Sequence, residues 1–177
     1  MSRLLIQPVE YRKDVTEMYE TVKRAFYPLF NGFTVLDEVR ATELPENVFE
    51  HQKKYVNALK FLEHFPQQRE PLLVVTSLSL IDQDAVFRSD GYGLHDSRRA
   101  VISSYGVKPE ELKPLVVHEL GHVYGLDHID HNRTSNDRPC PMNAFPYDSF
   151  TEAKADSIFC GFCYEKLGIP EPVIKTQ

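Results

Sequence analysis

The stretch "VVHELGHVYGLDHIDH", residues 116–131, places four histidines, one glutamate and two glycines in sixteen positions. That density sets a geometric condition on the fold. His118 and His122 stand four apart, so a helix turns both imidazoles to one side. Gly125 follows three residues later, where a helix that must stop needs a residue tolerant of φ > 0. His128, three further on, can then swing back toward the first two. A chain with this segment must wrap a helix end and a sharp turn around a common point.

The chemistry follows from the spacing. Two imidazoles at i and i+4 can share one Zn²⁺ at about 2.0–2.1 Å. Glu119 sits one position along, off the metal's inner shell but within reach of a water on it. That is where a carboxylate can act as general base. A solvated, histidine-rich helix can produce "HELGH" by chance. The glycine and third histidine at fixed spacing separate the two readings, and they favour the metal. The full pattern H-E-x-x-H-x-x-G-x-x-H is met by His118, Glu119, His122, Gly125 and His128. It resembles the zinc signature of the metzincins, which also place a methionine in a tight turn beneath the metal. Met142, in "CPMNAF", is suited to that place.

More narrowly, the chain resembles the archaemetzincins (archaelysins), which add a cysteine cluster to the signature. Cys140 stands two residues before Met142, seventeen residues separate Met142 from Cys160, and Cys163 completes a C-x-x-C. The family has a cysteine directly after its third histidine; this chain has Ile129. The resemblance covers residues 118–163. It implies a catalytic zinc on the three histidines and a second, structural zinc on Cys140, Cys160 and Cys163. Three thiolates leave that second ion one ligand short of a tetrahedral set. His131, in the lengthened loop after His128, is the best replacement, and Asp130 and Asp137 are weaker ones. A redox reading of the C-x-x-C is disfavoured, because the pair falls within an expected helix (residues 149–168) with no βαβ context. On that helix the two sulfurs, at i and i+3, would face one side, which suits a shared metal.

The remaining candidates are bland. His51 and His64 read as solvated or satisfied histidines on a helix, and His95, in the segment that by resemblance lines the cleft, reads the same way. Tyr124 and Tyr147 flank the site in sequence and read as packing residues.

The chain has 177 residues, enough for one domain with a real core. We expect a single metallopeptidase domain, with an N-terminal lobe of residues 1–128 and a C-terminal lobe of residues 129–177. The element order is strand (3–9), helix (opened by Asp14 and Glu17, closed before Pro28), strand (33–40) and helix (Val48, Tyr55, Leu59 and Leu62 on one face). A buried strand (71–82), a loop and a further strand (99–105) follow. The zinc helix is expected from Glu111, since Pro114 suits only a first turn, to Gly125. The order argues an α/β fold with a twisted, mostly parallel sheet of about five strands. The resemblance adds an antiparallel edge strand at residues 91–95, an active-site helix and a small C-terminal lobe.

A net charge of -6 without a basic block argues against nucleic acid or an anionic membrane as partner. No apolar run is long enough for a bilayer or a secretory leader, so a cytoplasmic location is expected, where three cysteines are no disulfide framework. The expected function is zinc-dependent hydrolysis of peptide bonds in a peptide or protein substrate. The alternative is a catalytically weak or silent zinc protein that binds peptides or a partner in the cleft. Glu119 favours the enzyme, because a pure binding site needs no carboxylate there.

Overall fold

The computed structural model describes residues 2–11, 15–51, 54–82, 88–129, 140–142 and 159–171. Its centre is a five-stranded sheet. Strands β1 (Ser2–Val9), β5 (Leu72–Thr76) and β9 (Arg99–Ser103) run parallel through the middle, β2 (Phe30–Val35) lies parallel on one edge, and β8 (Gly91–Leu94) closes the other edge antiparallel. This is the mostly parallel sheet with one antiparallel edge that was expected.

Alternation along the central strands divides the apolar residues into two cores. Leu4, Ile6, Leu73, Val75, Ala100 and Ile102 join one cluster with α1 (Thr16–Phe26) and α3 (Pro109–Val123). Leu72, Val74 and Val101 join the other, with α2 (Ala58–His64) and Val48, Val56 and Leu80. All five residues of β5 are buried, as a strand covered on both faces requires.

The second core holds what the sequence did not announce. Residues 46–51 and 54–57 are not the first half of a helix. They form a 3₁₀ turn at Glu46–Val48, then β3 (Phe49–Glu50) and β4 (Tyr55–Asn57), so Val48 and Tyr55 do not share a helical face with Leu62. The apolar strand expected over residues 71–82 ends at Thr76, whose hydroxyl accepts the Leu78 N–H at 3.1 Å. Beyond that turn, β6 (Leu80–Ile81) pairs with β4 and with β7 (Arg88–Ser89) in a small four-stranded sheet. Short apolar segments spaced three or four apart imitate helix periodicity when tertiary pairing claims them as strands. The helix begins only after Asn57, whose side chain accepts the Lys60 N–H at 3.1 Å. Asn57→Ala should therefore cost about 1 kcal/mol. A urea midpoint equal to that of the parent would show the cap to be inert.

Other boundaries shift for local reasons. β2 starts earlier than expected and stops at Val35, and the Gln7 amide then holds the Asp37 carbonyl at 2.7 Å. α1 begins at Thr16 with no side-chain cap on Val15, and Asp14 lies outside the described residues. α3 begins at Pro109 and carries Pro114 inside it. One missing backbone bond is tolerated because Leu112, Leu115, Val116 and Leu120 bury the helix in the first core. The last helix, α4 (Gly161–Leu167), starts at its N-cap Cys160, so the C-x-x-C straddles a helix start instead of lying within one. Residues 149–158 of the expected helix lie outside the described residues. Among the described residues no helix is long and apolar enough to cross a membrane.

Candidate metal centre

α3 ends in a Schellman turn, in which two backbone donors beyond the helix satisfy its last carbonyls. The Gly125 N–H donates to the His122 carbonyl at 2.9 Å and the Leu126 N–H to the Gly121 carbonyl at 3.0 Å. Gly125 has φ +80°, the left-handed conformation that glycine adopts without strain. The chain reverses there and returns His128 to the face carrying His118 and His122. The three Nε2 atoms converge at separations of 3.1, 3.1 and 3.2 Å.

Two of these imidazoles are fixed from behind. His118 Nδ1 lies 2.5 Å from the Pro141 carbonyl and His122 Nδ1 lies 2.8 Å from the Leu126 carbonyl. A carbonyl can only accept, so each Nδ1 carries the proton and each Nε2 turns a bare lone pair inward. Burial holds His118 well below the usual imidazole range, at about 3, and lowers His122 as well, so both stay neutral. Lone pairs facing one another at this distance repel unless a cation lies between them. Tetrahedral Zn²⁺ with bonds of about 2.0–2.1 Å sets its nitrogens roughly 3.3–3.4 Å apart. The donor set fits zinc.

Glu119 lies beside this trio, buried at 6% exposure. Burial first, and the charge of Asp90 second, push its carboxyl up to about 8. The sheet edge closes over it through two glycines. A Cβ on Gly91 would lie 2.5 Å from Glu119 Oε1, and one on Gly93 would strike the Glu119 carbonyl and lie 2.9 Å from His122 Cβ. The glycines at alternate positions of "GYGL" thus let β8 rest on α3. Sequence reading missed them as site residues, although glycines spaced by two in a strand do signal close approach of another backbone.

The ladder also settles which groups face the open edge. Asp90 accepts the Ser103 N–H at 2.8 Å, and Gly91 is opposite Ile102. Antiparallel pairs alternate, so Tyr92 and Leu94 bond toward β9 while Gly93 presents its N–H and C=O outward; the Gly91 carbonyl accepts the Ser89 hydroxyl at 2.6 Å.

Beneath the site, Met142 is fully buried, and a side chain on Gly121 would run into its sulfur. Its carbonyl accepts the Ile129 N–H at 3.0 Å. Cys140, Cys160 and Cys163 are brought together a few residues away, with sulfur separations of 3.8 Å from Cys163 to each of the others. Zinc–thiolate bonds of about 2.3 Å imply an edge of roughly 3.8 Å in a tetrahedral site. Hydrogen bonds within the trio lower Cys160 and raise both Cys140, to about 11, and Cys163, so a cation is needed to hold all three as thiolates. Ile129 packs against the first core and offers no ligand. His131, Asp130, Asp137 and Tyr147 lie outside the described residues.

His51 and His64 are exposed, lie against Tyr55 and Phe65, and do not join the trio. The Tyr124 ring packs between Phe26 and Phe30. His95 is exposed beside Gly125, where a Cβ would meet its ring at 3.1 Å, and does not join the converging nitrogens.

No protein-family model matches the chain. It is 26% identical to an archaemetzincin of Nanoarchaeum equitans over 144 residues, covering 78% of each chain. Its fold superposes on an archaemetzincin of Archaeoglobus fulgidus, crystallised with malonate, with a TM-score of 0.69 at 22% identity, covering 93% of this chain and 99% of that one. A zinc-dependent peptidase of Methanocorpusculum labreanum gives a TM-score of 0.62 at 19% identity, covering 92% and 99%.

Proposed function

We infer that this chain, archaemetzincin-like in sequence and in fold, is a zinc metallopeptidase. The observation that carries the reading is the convergence of three imidazole nitrogens within 3.2 Å, two of them locked in the metal-binding tautomer, beside a buried carboxylate. His118, His122 and His128 would hold the ion. Bound there, zinc would supply Lewis acidity, polarising a peptide carbonyl and lowering the pKa of water toward about 7.

The protein's own groups do the rest. Glu119 accepts the proton of the attacking water at its carboxylate and passes it to the departing amine. A substrate lies extended along β8, bonded by the outward N–H and C=O of Gly93, as a further strand of the sheet. Proline at Tyr92 or Leu94 would break the ladder to β9 and is not a clean test of this pose. N-methylated peptides are: blocking one substrate N–H should raise KM, and an unchanged KM for every N-methyl position would place the substrate elsewhere. Cys140, Cys160 and Cys163 hold a second, structural zinc.

Digestion of a peptide library with and without a chelator, beside elemental analysis, tests the reading. We expect cleavage that the chelator stops and zinc restores, and two zinc ions per chain. A zinc-loaded, folded protein that binds peptides and cuts none would favour the silent alternative.

A further inference from the structure

We propose that the two metal sites are thermodynamically coupled: filling the cysteine site raises the affinity of the histidine site for its own ion. The inference rests on the two-metal reading above and adds a relation between the sites.

Three consecutive buried residues serve both centres. Cys140 gives its sulfur to the cysteine trio, where it also accepts the Cys160 N–H at 3.4 Å. The next residue, Pro141, gives its carbonyl to His118 Nδ1 at 2.5 Å. Met142 sets its sulfur under Gly121, between His118 and His122 on α3, and its carbonyl accepts the N–H of Ile129, directly after His128. A second strap crosses the same gap. Lys166 of α4, three residues beyond Cys163, meets Asp127, directly before His128, at 2.6 Å. It is exposed and therefore the weaker link.

The physical consequence is a shared cost of ordering. Without a cation the three sulfurs are joined by weak contacts of 3.8 Å and by the Cys160 N–H on Cys140. A metal that draws them to one point fixes Cys140, and with it the direction of the Pro141 carbonyl and the height of Met142. His118 and His128 are then already aimed when the second ion arrives. Groups that orient a metal ligand from behind are typically worth about 10–100-fold in metal affinity. By linkage the effect must be equal in both directions.

Cobalt(II) provides the test, because thiolate–cobalt charge transfer in the near ultraviolet reports the cysteine site, and visible ligand-field intensity gained without charge transfer reports the histidine site. In the full chain, Cys160→Ser/Cys163→Ser should weaken cobalt binding at the histidine site by about 10–100-fold in chelator competition. Conversely, His122→Ala, which leaves the cysteines and both cores intact, should weaken cobalt binding at the cysteine site by a similar factor. The second variant keeps the test alive if the first fails to fold. Two filled sites whose affinities ignore each other would overturn the coupling alone. Absence of the charge-transfer band in the parent protein would overturn it together with the second metal site.

Discussion

Glu119→Gln is expected to keep its zinc and its fold while losing peptide hydrolysis by at least about 10²–10⁴-fold, the usual worth of a general base. Gln fills nearly the same volume and can still hydrogen-bond, but it cannot take a proton from water. The three imidazoles remain, since Glu119 is not among the converging donors. The measurement is kcat on a cleaved peptide, alongside zinc content. Unchanged kcat would remove Glu119 from the mechanism, and loss of zinc would make it a ligand.

The same variant separates burial from catalysis through pH. Without metal, burial holds the Glu119 carboxyl up to about 8, above its ordinary value of 4.5. The unfolded chain then loses this proton near pH 4.5 while the folded chain keeps it to about pH 8. The unfolded state binds fewer protons in that window, so the group costs stability as pH rises through it. Metal-free Glu119→Gln escapes this cost. Its melting temperature relative to the parent should climb between about pH 4.5 and 8, then level off. Zinc beside the carboxylate favours the charged form and should narrow the gap. A gap that is flat with pH in the metal-free proteins would mean that the carboxyl is not held up by burial.

Gly93→Ala should be unusually damaging for a single added methyl. The new Cβ would strike the Glu119 carbonyl oxygen and lie 2.9 Å from His122 Cβ. Neither neighbour is the loose end of a flexible side chain. β8 and α3 must part, and overpacking of this kind costs about 1–3 kcal/mol. The separation also displaces the proposed base, Glu119, together with His122, and a misplacement on the order of 1 Å can cost about 10²-fold in rate. Gly91→Ala makes an instructive contrast. Its Cβ meets only side-chain atoms of Glu119, 2.5 Å from Oε1 and 2.6 Å from Cγ, so the side chain can turn aside while the two backbones stay in place. Activity should fall there with little change in stability or zinc content. Equal stability losses in the two variants would show that β8 does not rest on α3 as described.

How much of this was legible beforehand depends on the range of the interaction that decides it. The histidine site is nearly local. His118 and His122 share a helix face through the 3.6-residue period, and Gly125 marks the stop through its backbone freedom, so eleven consecutive residues, 118–128, encode most of the geometry. The five-stranded sheet was legible because β1, β5 and β9 are apolar enough to be recognised without knowing their partners. The segment 55–57 was not, because its spacing suits a helix until pairing of Val56 and Asn57 with Leu80 and Ile81 makes it strand. The C-x-x-C was readable as part of a cluster with Cys140 but not as a helix start, since Cys160 is held by contacts to Cys140, twenty residues away.

The sequence by itself determined the paired histidines on α3, the turn that brings His128 back, and the fold class, because each depends on periodicity or on a single residue's φ. Tertiary structure alone decided that two glycines of β8 seat the sheet edge on Glu119, and that Pro141 aims His118. Those contacts join segments 26 to 29 residues apart in the chain for the glycines and 23 apart for the proline. A glycine's missing side chain and a proline's carbonyl carry no side-chain chemistry that a sequence could display. Only the close approach of a second backbone gives them a role.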